Sequence, residues 1–227
     1  MRKVALGNLA NKESVNGVRE AVVGKPAKAF SIFYNYAETY NANFGANPDG
    51  STFVPSTGIV KEVGVKSALR EGRITGTLSY FDLQLQQIVG LDPDPARASA
   101  GFRVQQDRQI TKGVEADVVL NLLPGWDLTL AASTIDITLP TKLLPRNTPE
   151  KTAAAWSRYK FPAGTLKGLT VGGGWNWQGR AAAEPANQIF FPSVGTVDAF
   201  VQYAWKGYRI SLNGSNITDE WYLKRSA

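Results

Sequence analysis

Few residues in this chain could do chemistry, and their spacing argues against catalysis. Asp92-Pro93-Asp94-Pro95 offers two carboxylates, but a loop with no other clustered oxygens makes a poor calcium site. Gly172-Gly173-Gly174 sits inside an alternating segment and opens no helix, so it is no phosphate loop; glycine there lets a bulky plug or a neighbouring strand approach. Asn213-Gly214-Ser215 and Asn216-Ile217-Thr218 match a glycosylation pattern that is common by chance. Histidine and cysteine are both missing from the sequence. That removes disulfides, thiolate chemistry, the usual zinc ligand sets, haem-ligating histidines and histidine acid–base mechanisms together.

The elements that would carry these residues are extended. The chain is 43% hydrophobic and 19% charged, with 22 glycines, 6 tryptophans, 8 tyrosines and 10 phenylalanines, a composition neither disordered nor helix-biased. No apolar run approaches the ~20 residues a transmembrane helix needs, so any membrane crossing must be a closed barrel. From Gln109 to Leu122 one face carries Gln109, Thr111, Gly113, Glu115, Asp117 and Asn121, and the other carries Ile110, Val114, Ala116, Val118, Leu120 and Leu122. Period two over that length is one strand with a wet face and a greasy face. Val197, Ala199, Val201, Tyr203 and Trp205 repeat the dyad against Asp198, Gln202 and Lys206.

Extending the pattern predicts about ten strands, near 17–23, 29–37, 59–69, 73–88, 108–121, 126–138, 150–160, 169–180, 194–205 and 208–216. Tight connections alternate with long ones at 38–58, 89–107, 139–149 and 181–193, the arrangement of a membrane barrel with short turns on one side and long loops on the other. Tyr34, Tyr36, Trp126, Tyr159, Trp175, Trp177, Tyr203 and Trp205 fall near strand ends, where amphipathic rings prefer headgroup depth. The competing architecture is a soluble β-sandwich, which also alternates. The net charge of +6 is scattered singly rather than clustered, which argues against a nucleic-acid partner. Met1-Arg2-Lys3 opens like a signal peptide, but the apolar stretch stops at Gly7-Asn8; Met1 is read as the start of a fragment.

Several segments carry family wording in order. Tyr34 through Phe44, Glu62-Val63-Gly64-Val65-Lys66, Leu78-Ser79-Tyr80-Phe81-Asp82, Lys112-Gly113-Val114-Glu115, Leu123-Pro124-Gly125-Trp126, Leu166 through Gly174, and Asn216-Ile217-Thr218-Asp219-Glu220-Trp221-Tyr222 together resemble the TonB-dependent receptor family, in its ferric-siderophore branch. The resemblance runs nearly the whole chain. It implies an all-β, antiparallel up-and-down transmembrane barrel in a bacterial outer membrane. Residues 1–227 would be one partial barrel domain, roughly the last ten strands of the 22 that such transporters carry. The plug domain and TonB box that the family places upstream are not visible. The sequence stops at Ser226-Ala227, where relatives continue into a closing strand.

In that family a ferric siderophore binds the outer loops and plug apex, and energy delivered through TonB moves the plug. The resemblance therefore implies outer-membrane lipid, the plug, the TonB complex and a ferric siderophore as partners, with no cofactor and no metal site of the chain's own. Ligand candidates in the long loops are Tyr40, Asn43, Phe44, Phe102, Arg103, Trp177 and Arg180, since aromatic faces pack on planar ligand groups and arginine pairs with anionic oxygens. Each has a plainer reading as an interface anchor or a solvated charge. Glu62, Lys66, Glu115, Asp117, Arg158, Asp198 and Arg209 are expected to face the lumen and bond with neighbours or the plug, because an unpaired charge in a narrow lumen is costly. Competing functions are import of cobalamin, haem or a sugar, a passive porin, and a barrel-embedded hydrolase, the last disfavoured because no histidine is there to activate a nucleophile.

Overall fold

Twelve strands in chain order account for most of the structure, a computed structural model describing residues 17–222 except 93, 95, 98, 99, 140 and 185, with backbone alone at 91, 106, 107 and 122. They are β1 (Arg19–Ala27), β2 (Phe30–Asn41), β3 (Ser56–Leu69), β4 (Ile74–Leu91), β5 (Arg103–Leu123), β6 (Trp126–Thr138), β7 (Lys151–Lys160), β8 (Leu169–Gln178), β9 (Ala181–Ala182), β10 (Phe190–Phe191), β11 (Val194–Trp205) and β12 (Tyr208–Gly214). The expectations about Met1-Arg2-Lys3 and Ser226-Ala227 lie outside the described residues.

Ten strands form one antiparallel sheet in the order β1-β2-β3-β4-β5-β6-β7-β8-β11-β12, so each hairpin neighbour in sequence is a neighbour in space. β9 and β10 pair separately as a small hairpin within the 179–193 loop. The tight turns follow from local chemistry. Lys206-Gly207 takes positive φ at both positions (43° and 86°), the two-residue geometry that matches strand twist. At Gly125 (φ 81°) any Cβ would run into the Lys160 carbonyl, so that turn needs glycine for space as well as conformation.

A sandwich is excluded by where the apolar residues lie. Among the described residues only Phe33, Phe53, Ala181 and Ala182 are buried hydrophobics, while Leu78, Ile210 and Leu212 are 54%, 74% and 73% exposed. A soluble sheet with a second layer would bury one such face. Here the greasy face of a single sheet lies bare, as a barrel wall presents it to lipid. The opposite face is concave: residues from seven adjacent strands, β2 to β8, enclose a hollow of about 650 Å³.

The strands outrun their expected limits at one end. β4 and β5 reach 18 and 21 residues, past the predicted stops at 88 and 108 and beyond the ~9–11 that cross a bilayer. The residues added to β5, 103–107, are mostly polar in sequence, and the three added to β4, Val89-Gly90-Leu91, are too few to show a period, so the period-two signal fades although the backbone ladder continues. The first turn also moves, from 24–28 to Lys28–Ala29, because an irregularity between Gly24 and Ala27 keeps β1 paired.

Candidate functional site

Register decides which side chains share the concave face. Asn35 opposes Glu62, Lys66 opposes Thr77, Thr77 opposes Asp117, and Glu115 stands between Ser79 and Ser133. All of these line the hollow. Arg158 opposes Gly172, Asp198 opposes Gly174, and Arg209 opposes Ala204, which continues the same face across β7, β8, β11 and β12. The seven lumen candidates thus fall on one side of the sheet.

Their electrostatics are uneven. The Asn35 amide donates to Glu62 Oε2 at 3.0 Å, and Lys66 Nζ lies 5.0 Å from the Phe33 ring centroid. Glu115 and Asp117 have no hydrogen-bond donor or cation on them among the described residues. The hollow is therefore lined by three carboxylates and the single ammonium of Lys66, a net anionic surface. Arg158 and Asp127 form an ion pair of their own, with Nε donating to Oδ2 at 2.8 Å. Asp198 serves the backbone: its Oδ1 accepts the Asn216 N–H at 2.8 Å and its Oδ2 accepts the Asn176 amide at 3.3 Å, holding the turn after β12.

Sequence reasoning missed the aromatic members of this face. Phe33, Phe81, Trp156 and Phe200 stand directly opposite Gly64, Gly113, Gly174 and Gly172, and each ring occupies the space that a side chain on its glycine would fill. The Trp156 and Phe200 rings are parallel within 3°, with centroids 6.0 Å apart. Neighbouring-strand rings therefore account for two of the three consecutive glycines at 172–174. The clue was an aromatic on the wet face of an alternating strand, legible only once its cross-strand partner is known.

The loop candidates separate. Tyr40 lies on the outer face, four residues along β2 from Tyr36, with its hydroxyl donating to Glu38 at 3.2 Å. Trp177 borders the hollow, yet its register partners Ala153 and Gly195 put its indole with Trp175 against the outer side of Gly195. Both have the parity of the greasy face. Arg180 stacks on Phe190 at 5.0 Å. Phe44 (77% exposed), Phe102 (51%) and Arg103 remain open to solvent at the long-loop end.

Asn43 is a structural post. Its amide donates to the Val54 carbonyl (2.9 Å), Ser56 Oγ (2.8 Å) and the Gln87 carbonyl (3.2 Å), and Gln105 adds bonds to Val54 and Gln87. The 42–55 loop is thereby tied to β4 and β5. Asn43→Ala is expected to cost about 1–3 kcal/mol locally by stranding those acceptors, seen as faster proteolysis within 42–55 while the barrel stays folded. The loops at 139–150 and 179–193 are joined likewise, through Asn187 to both Leu144 backbone groups.

In that second pair, main-chain N–H groups of Gln188, Ala186 and Ile189 donate to the Glu184 carboxylate and hold it below the usual carboxylate range. A lowered pKa in the folded state means the turn is supported above the ordinary glutamate range and loses that support as pH falls through the depressed value. A carboxyl NMR titration should place the Glu184 midpoint below that of an unstructured glutamate; an ordinary midpoint would refute the reading.

Residues 21–217 match the family described as TonB dependent receptor-like, beta-barrel. The chain belongs to that family. It forms part of a TonB-dependent receptor barrel, an outer-membrane wall. The ferrichrome outer membrane transporter/phage receptor of Escherichia coli is 28% identical over 202 residues, covering 84% of this chain and 26% of the transporter. The metal-pseudopaline receptor of Pseudomonas aeruginosa is 27% identical over 219 residues, covering 92% of this chain and 30% of that protein. The receptor-barrel chain therefore spans under a third of the length of these relatives. In structure it is similar to the ferripyoverdine receptor of the Pseudomonas aeruginosa outer membrane, with a TM-score of 0.77 at 21% identity, over 97% of this chain and 32% of that one.

Proposed function

We propose that the protein carrying this chain binds a ferric siderophore at its outer surface and imports it, residues 1–227 supplying part of the barrel domain rather than any catalytic step. The supporting observation is the family match together with relatives named for ferrichrome and ferric-pyoverdine uptake. Phe44, Phe102 and Arg103, exposed at the long-loop end, are the residues this reading assigns to ligand; Arg180 contributes if ligand displaces Phe190. Asn43 holds the first loop in place for them.

The concave face then seats the plug domain of the same protein. Glu62, Glu115 and Asp117 would accept plug cations or N–H groups, and TonB would act on the plug from the far side. Association is favoured because Glu115 and Asp117 otherwise have no cation or donor among the described residues.

A second reading, a metallophore carrying another transition metal, draws on the metal-pseudopaline receptor among the relatives. Tryptophan fluorescence of the full-length protein distinguishes the two. Saturable quenching is expected with a ferric siderophore and less with the same compound carrying nickel or zinc. Quenching only by a non-ferric complex would replace the iron reading.

A further inference from the structure

The outer face of the sheet carries two adjacent rows of opposite chemistry. Register places Glu20, Tyr36, Lys61, Asp82, Lys112 and Asp136 side by side across β1–β6, each directly opposite the next. Five of these six are charged, and from Lys61 onward the signs alternate. Two residues closer to the tight turns, about 7 Å along the strands, the next row is Val22, Tyr34, Val63, Tyr80, Val114 and Thr134, with no charge. The row beyond it, from Gly24 and Ile32 through Val65 and Leu78 to Ala116 and Ala132, is wholly apolar.

A charge facing lipid is costly at the bilayer midplane and nearly neutral at the interface. Tyrosine rings, here Tyr34 and Tyr80, settle at that same interface. We propose that the Glu20–Asp136 row lies at the headgroup level of the outer leaflet, that hydrocarbon begins at the Val22–Thr134 row, and that Lys61 contacts lipid phosphate.

Lys61 is singled out by what its neighbours already do. Asp82, its cross-strand partner, has Oδ2 3.3 Å from Lys112 Nζ and accepts the Gln84 amide on Oδ1 at 3.3 Å. Among the described residues no anion pairs with Lys61, and it is exposed. Charge complementarity therefore leaves it to an anion from outside, and the surface it shares is the one facing lipid. Lys66, five residues along the same strand, lines the concave side over Phe33 and cannot reach lipid, which makes it an internal control.

This inference rests on membership of the barrel family and not on the ligand, so its tests use no siderophore. In the full-length receptor reconstituted in phospholipid vesicles, single substitutions Lys61→Cys, Val63→Cys and Val65→Cys would carry an environment-sensitive fluorophore. Aqueous iodide should quench the label at 61, brominated acyl chains the label at 65, and the label at 63 should respond to both. Equal quenching of 61 and 65 by brominated chains would overturn the boundary. For the contact itself, native mass spectrometry with phosphatidic acid as probe should show first-lipid occupancy falling about five-fold in Lys61→Gln. Lys61→Arg and Lys66→Gln should retain it. Unchanged occupancy in Lys61→Gln, or an equal loss in Lys66→Gln, would overturn the phosphate contact.

Discussion

Replacing Leu78 with arginine is expected to cost the full-length receptor about 2–4 kcal/mol of folding free energy in a bilayer, while Thr77→Arg costs far less. The two positions are adjacent in sequence and opposite in environment. Leu78 lies 54% exposed on the outer face, between Val65 and Ala116, in the apolar row two steps below the charged one. Thr77 faces the hollow, paired with Lys66 and Asp117, where a new cation finds a carboxylate. Denaturant unfolding from vesicles, read by heat-modifiable gel mobility, measures both. In a water-soluble sheet the exposed Leu78 would accept arginine at almost no cost. Equal costs at 77 and 78 would therefore contradict the assignment of faces.

The second large effect concerns the lumen-side rings. Gly174→Val should destabilise the barrel by about 1–3 kcal/mol, since a branched side chain must displace the Trp156 ring from the space it occupies. The displacement also breaks the parallel stack of Trp156 on Phe200. Near-ultraviolet circular dichroism of the tryptophans reports the stack, and unfolding reports the energy. Combining Gly174→Val with Trp156→Ala should recover part of the loss, because the smaller residue vacates the space the valine needs. A double-mutant cycle with purely additive effects would show that ring and glycine do not interact.

These two cases mark what the sequence could and could not reveal. Alternation groups Glu115, Asp117 and Asp198 on one face, as the strand register does, because a barrel wall has one wet and one greasy side and period two is then written into residue type. Where a run is polar throughout, as at 103–107, or too short to show a period, as at Val89-Gly90-Leu91, the signal fades, which is why the outer parts of β5 and β4 read as loop. Trp177 illustrates a conflict within the sequence itself: its type suggests ligand, while its parity is that of the apolar face on which its register places it. The Phe33–Gly64 and Trp156–Gly174 pairings needed cross-strand register, which no local pattern supplies. The charged row from Glu20 to Asp136 is likewise invisible along the chain, because its members are 16 to 30 residues apart and meet only through the ladder.

The most direct test of the proposed role is uptake of radio-iron, presented as a ferric siderophore, by cells deleted for the full-length gene and complemented with it. Deletion should abolish uptake of at least one ferric siderophore, the intact gene should restore it, and restoration should fail in cells lacking TonB. Uptake of every ferric siderophore unaffected by deletion, or restored equally without TonB, would contradict it.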